Sequence, residues 1–170
     1  MLAIVSSISS PGQTAEQYYE RGAKKAKANE LHGSMAELNK AIAINQVGKY
    51  YLLRGKIKVK LSDFRGAKDD FTEAINHNYK SRDVYICRII LCDYLRDTDQ
   101  AMEDCRLLIS LNPKDGEAFY YLGLAEIYEV RRNLTPEAFK NYDQGCRTLS
   151  KAGELGYKDA YKKITAYCNN

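Results

Sequence analysis

Two histidines, five cysteines and several close-set carboxylates are the side chains of this 170-residue chain that could carry chemistry. A metal site needs such groups at short spacing, as in Cys-x-x-Cys or two histidines one helical turn apart. His32 and His77 fall in turns, and neither is spaced with cysteines or carboxylates in that way. Cys87, Cys92, Cys105, Cys146 and Cys168 form no Cys-x-x-Cys pair. Cys87 and Cys92 are five apart, about 140° around a helix, so they do not share a face. Their number is odd, which leaves at least one unpaired within a monomer, and cysteines inside helical apolar patterns usually act as small core residues. Asp69, Asp70 and Glu73 read as a solvated helix face. Asp93, Asp97 and Asp99 cluster at a turn, where Asp97 or Thr98 suits a helix cap. Phosphate-loop, G-x-S-x-G and H-E-x-x-H patterns are all absent from the sequence. The chemistry of these residues therefore points away from an enzyme, a metal or a cofactor.

Composition narrows the class further. Apolar residues make up 45% of the chain and prolines number three, which suits a mostly helical protein with a core. The formal charge of +4 comes from 26 basic and 22 acidic residues that are intermixed along the chain. Nucleic acid as a partner calls for a clustered basic face and is not expected. No run approaches the roughly 18 apolar residues of a membrane helix.

What the elements must do is set by an internal repeat. Gly22, Gly55 and Gly123 each follow an aromatic residue four places earlier, at Tyr18, Tyr51 and Phe119. Twelve residues after the first two glycines stand Ser34 and Ala67. Leu38 and Phe71 follow four later, then Ala41 and Ala74. Ala101, Cys105 and Leu108 form a third copy, with Ile89 in the glycine place and Tyr85 before it. In the fourth copy the small place falls on Ala138, with Tyr142 and Gly145 completing the pattern and three residues inserted in the turn "RRNLTP". The units run 15–47, 48–81, 82–115 and 116–155, each read as two helices from apolar spacings of three and four. "GKIKVKL" alternates like a strand, but the repeat frame makes it helix. Interior glycine costs about 1 kcal/mol in a helix, so each is expected where two helices cross closely, against Ser34, Ala67 or Ala138. Ile89 should widen that crossing in the third unit.

The ends and boundaries carry matching signals. Thr14 and Gln17 form a capping box, and Thr135-Pro136 sets the start of the last long helix. The tail forms one further helix, 157–168, with Ala160, Tyr161, Ile164 and Tyr167 on its apolar side; it covers the open face of the last unit. If the chain turns near Gly156, Cys146 and Cys168 come near each other. Two core thiols are the preferred reading, and a bridge stapling the terminal helix is the alternative in an oxidising compartment. Residues 1–13 read either as the remnant of a secretory signal, with Ser10 and Gly12 before a cut at Gln13, or as a loosely docked leader. The first implies a periplasmic or secreted protein, the second a cytoplasmic one. Residues 14–170 form a single domain.

With this period and these places, the chain resembles the tetratricopeptide repeat family, whose pattern is W-x2-L-G-x2-Y, then A-x3-F, then P, over about 34 residues. Tyr18, Tyr51, Tyr85 and Phe119 hold the tryptophan place. Arg21, Arg54 and Arg88, with Leu122, hold the leucine place, and Pro113 alone matches the closing proline. The resemblance implies an all-α, right-handed superhelical solenoid of four antiparallel helix pairs plus a C-terminal capping helix. It further implies that the first helix of each pair lines a concave groove.

Projected onto that groove face, the four units offer Glu16, Tyr19, Ala23 and Lys27; Lys49, Leu52, Lys56 and Lys60; Asp83, Ile86, Ile90 and Tyr94; and Glu117, Tyr120, Leu124 and Tyr128. The groove is expected to be basic near Lys56 and Lys60, and apolar to aromatic in the last two units. Chaperone-tail binders of the family carry a lysine and an asparagine where Tyr19 and Ala23 stand here, so that clamp is missing. The expected function is a non-catalytic interaction module that takes a protein or peptide segment with acidic and apolar groups, anchored by Tyr94, Tyr120 and Tyr128. The alternative is a structural subunit that buries the same apolar face in a homo-oligomer.

Overall fold

The computed structural model describes residues 13–132 and 136–168, the side chains of 131–132 and 136–141 excepted. Every element in them is helical: α1 (Ala15–Lys27), α2 (Leu31–Ile44), α3 (Gly48–Lys60), α4 (Phe64–Asn76), α5 (Arg82–Leu95), α6 (Thr98–Leu111), α7 (Gly116–Arg132), α8 (Pro136–Glu154) and α9 (Asp159–Tyr167). Successive helices pack as the pairs α1/α2, α3/α4, α5/α6 and α7/α8, each pair on the next, with α9 closing on α8. The segment "GKIKVKL" is helix, as the repeat frame requires. The expectations placed on residues 1–12 and on Thr135 lie outside the described residues.

Local chemistry sets the helix ends. The Thr14 hydroxyl accepts from the Gln17 N–H (3.2 Å), and the Gln17 side chain accepts from the Thr14 N–H (2.9 Å), completing the capping box. The turn inside each of the first three units repeats one geometry. Asn29, Ser62 and Arg96 adopt φ of 61–63°, and the N–H of the residue after each bonds back five positions, at 2.9 Å in all three. These are helix-ending Schellman turns built without glycine, although the left-handed region costs a residue with a side chain about 1–2 kcal/mol. Asp97 stands at the cap position of α6, yet its carboxylate goes to Lys68 of the preceding unit at 2.7 Å.

Inside the pairs, glycines permit a close crossing. A β-carbon at Gly22 would lie 3.1 Å from Leu38 Cγ, and one at Gly55 2.7 Å from Phe71 Cε1. In the fourth unit the outcome differs from the sequence reading. Gly123 crosses against Gly145 and Leu149, where a β-carbon would lie 2.9 Å from the Gly145 carbonyl oxygen and from the Leu149 nitrogen. Gly145, Leu149 and Ala152 therefore hold the small, large and small places; the side chain of Ala138 lies outside the described residues. The small place thus falls ten positions later than the spacing of the first two units would put it, an insertion of ten rather than three. Helices α7 and α8 absorb most of it, with 17 and 19 residues against 13 or 14 in α1–α6. In the third unit volume is exchanged across the crossing: Ile89 replaces glycine, and its counterpart sixteen residues on is the smaller Cys105, both fully buried in the main core.

The arginines in the leucine place clamp the pairs. Arg21 donates to Glu37 (3.0 Å), Arg54 to both oxygens of Asp70 (2.7 and 2.9 Å), and Arg88 to both oxygens of Asp104 (2.7 and 2.8 Å), each partner sixteen residues on. Each guanidinium also lies over the aromatic ring one turn earlier, 4.5 Å from Tyr18, 5.4 Å from Tyr51 and 5.9 Å from Tyr85. Arg54 reaches on to Asn39 and Arg88 to Thr72, both on the second helix of the preceding unit. Burial deepens along the chain, the arginine side chains being 38%, 18% and 9% exposed in turn. Burial is also the largest influence on the Asp104 carboxyl and pushes it up. Between the third and fourth units Arg82 grips both Asp115 oxygens (2.7 and 2.9 Å) and Glu117, and this holds the Asp115 carboxyl below its ordinary value.

Two consequences are measurable by urea denaturation followed by circular dichroism. Arg88→Met strands a buried carboxylate and should cost about 3 kcal/mol, whereas Arg21→Met, where the arginine is 38% exposed and Glu37 keeps Lys25 and Lys40 at 3.6 and 3.8 Å, should cost about 1 kcal/mol or less. Equal losses would mean that burial does not govern the clamp. Gly22→Ala should be close to neutral, because about 1 kcal/mol of helix propensity offsets a small shift of Leu38. Gly123→Ala meets backbone atoms that cannot yield and should cost about 1–3 kcal/mol.

Candidate functional site

The first helices α1, α3, α5 and α7 stand side by side, so residues at matching places form rows across their shared face. The outermost row runs Lys27, Lys60, Tyr94, Tyr128, and the next Ala23, Lys56, Ile90, Leu124. Both rows change from basic or small to apolar and aromatic between the second and third units.

The basic end is open. Lys56 and Lys60 are exposed, and neither has a carboxylate partner among the described residues. Two other cations of α3 are spent: Lys49 bonds Glu16 at 2.7 Å, and Lys58 lies 2.9 Å from Asp70. Tyr19 is half-buried, its ring stacked 5.0 Å from that of Tyr50.

The apolar end divides into an open and a covered part. Ile90 is 43% exposed and Tyr94 65%, and the Tyr94 ring rests 4.6 Å from that of Phe64, which sets its position. Leu52, Ile86, Tyr120 and Leu124 are buried. Leu52 and Ile86 belong to the main core. Tyr120 packs on Tyr157 at 4.8 Å and, with Leu124, shares a cluster with Ala160 and Ile164 of α9. Tyr128 meets Tyr167 with hydroxyls 3.5 Å apart, and Arg96 lies 5.1 Å over its ring. Burial pushes the hydroxyls of Tyr120 and Tyr128 up to about 12. The structure thus brings Lys56, Lys60, Ile90 and Tyr94 together on accessible surface and sets Tyr120, Leu124 and Tyr128 under the terminal helix. Projection onto one helix could not find this, because the cover comes from α9, two helices further along the chain.

Cys146 and Cys168 are joined in a disulfide with Cα atoms 5.8 Å apart, which corrects the preference for two core thiols. Antiparallel packing of α8 and α9 about Gly156 (φ 89°) brings them to that distance. Cys92 and Cys105 are fully buried, Cys87 half-buried. His77 stacks on Tyr51 at 5.3 Å and sits 3.6 Å from Glu73. Among the described residues no group of three or more His, Cys, Asp or Glu is placed to hold a metal ion, and no helix is long and apolar enough to cross a membrane.

No family model and no curated protein sequence matches this chain. Solved structures do. MamA superposes with a TM-score of 0.68 at 21% identity, over 86% of this chain and 81% of its own. YrrB, described as a TPR protein with an unusual peptide-binding site, gives 0.63 at 20% identity, over 86% and 78%. A tetratricopeptide repeat protein from Parabacteroides merdae gives 0.70 at 22% identity, over 86% of this chain and 55% of that one. Helix pairs, crossing places and these superpositions agree: the chain has the tetratricopeptide-repeat fold, a right-handed solenoid of four helix pairs closed by a terminal helix.

Proposed function

We propose that this chain is a non-catalytic interaction module that holds a segment of a partner protein across its first helices. Acidic groups of the segment lie toward Lys56 and Lys60, and apolar groups on Ile90 and Tyr94, with Tyr19 and Lys27 at the far rim. The observation that carries this reading is the accessible set of two lysines without carboxylate partners and two large apolar side chains on adjacent helices. Charge without a local partner and apolar area without cover both favour a ligand that supplies what is missing. The peptide-binding site attributed to YrrB supports the same use of the fold. Tyr94 suits an anchor because it brings a large area with few rotors to freeze.

Self-association through the same face is the competing reading, and the exposed Ile90 and Tyr94 serve it equally. One set of measurements separates them. A labelled peptide with an acidic half and a leucine-rich half should bind in fluorescence polarisation and weaken as salt rises. Lys56→Glu with Lys60→Glu should weaken it at least tenfold, and Tyr94→Ala by a similar factor, about 1.4 kcal/mol. Light scattering should give a monomer. A dimer that dissociates in Tyr94→Ala, with no peptide binding, would replace the first reading by the second.

A further inference from the structure

Helix α9 stands where the first helix of a fifth unit would stand, but it reaches further over the shared face than its counterparts do. Leu52, Ile86 and Tyr120 hold equivalent places and are all buried. One turn on, Ile90 beneath α7 remains 43% exposed while Leu124 beneath α9 is 3% exposed. Two turns on, Tyr94 is 65% exposed while Tyr128 is half-buried against Tyr167. The last aromatic stretch of the groove is therefore occupied by the chain's own terminal helix.

Side-chain packing of Ala160, Ile164 and Tyr167 and one covalent bond hold α9 in place. The helix has nine residues, of which Ala160 alone is buried. A helix this short does not persist in water without packing. Tyr142 donates to the carbonyl oxygen of Tyr167, and the Cys146–Cys168 bond fixes the end of α9 to α8 across 22 positions. Both cysteines are half-buried rather than sealed in the core. Cys92 and Cys105 are sealed in the core with their thiols pushed up by burial, and so do not compete in exchange.

We propose that the Cys146–Cys168 disulfide is a redox latch that keeps α9 over Tyr120, Leu124 and Tyr128. A dithiol reductant opens it by exchange. One thiolate attacks a cystine sulfur and expels the other as a thiolate, which takes a proton. The reductant's second thiolate then resolves the mixed disulfide. Two electrons pass, leaving two cysteine thiols on the protein and the reductant as its cyclic disulfide. Without the bond α9 lifts, and the aromatic row extends from Tyr94 to Tyr128. What the latch regulates rests on the groove reading above; the release of α9 does not.

The test compares the full-length chain, oxidised and after dithiothreitol, by hydrogen exchange and by tyrosine nitration with tetranitromethane, both read by peptide mass spectrometry. Reduction should speed amide exchange in 159–168 at least tenfold and raise nitration of Tyr120 and Tyr128 several-fold, with α1–α6 unchanged. Cys146→Ser without reductant should give the same pattern. Unchanged protection of α9 after reduction overturns the latch, as does loss of protection in every helix, which would mark the bond as a global staple. Release of α9 with no gain in affinity for the acidic–leucine peptide upholds the latch and rejects its control of the groove, while absence of peptide binding in both states rejects the groove reading.

Discussion

A buried arginine that must meet a carboxylate sixteen residues away is the constraint on which the rest of the stack depends. Desolvating a guanidinium and a carboxylate is costly unless their geometry is good, so the pair tolerates little rotation of one helix against the other. Arg54 with Asp70 and Arg88 with Asp104 fix that rotation with two bonds each. The tyrosine one turn before each arginine covers the flat face of the guanidinium. Once the rotation is set, the groove rows follow, because residues two and six places after each arginine, such as Lys56 and Lys60 after Arg54, point to fixed sides. The further bonds to Asn39 and Thr72 make each clamp a fastener between units as well as within one.

The fourth unit gives up this device. Leu122 stands in the arginine place, and Thr148 stands where the carboxylate would be, its hydroxyl bonded to Glu126 at 2.7 Å. Its helices meet instead through a crossing of backbone on backbone, Gly123 on Gly145. The covalent link from α8 to α9 lies in this same unit. Fastening by charge in three units thus gives way to fastening by contact and by sulfur in the last.

Helices, unit boundaries and the shared face are legible in the sequence because each rests on short-range periodicity that recurs from one unit to the next. The arginines are visible only as departures from the family pattern. Their partners could be found by asking which acidic residue recurs at one fixed distance, as Glu37, Asp70 and Asp104 do. The insertion in the fourth unit is misread for a specific reason. Ala138, Tyr142 and Gly145 repeat the spacing of Gly145, Leu149 and Ala152, and seven residues make nearly two turns, so both sets fall on one stripe. The turns at Ser62 and Arg96 carry no glycine and give no signal in sequence. The cover over Tyr120, Leu124 and Tyr128 depends on where a later helix lands, and no local pattern encodes that.

The graded burial of the three clamps bears on how the chain comes apart. A repeat stack holds together through nearest neighbours, so its units need not open at once. Arg21 keeps 38% of its side chain in water and Arg88 only 9%. Opening α1 releases an arginine that water already reaches, while opening α5 strands two buried charges. The stack is therefore a zipper with a loose tab at Ala15 and its firmest teeth at Arg88 and Asp104. Among the three clamped units the first opens at the least cost and the third at the greatest, which keeps Ile90 and Tyr94 on folded helix after the first unit has begun to breathe.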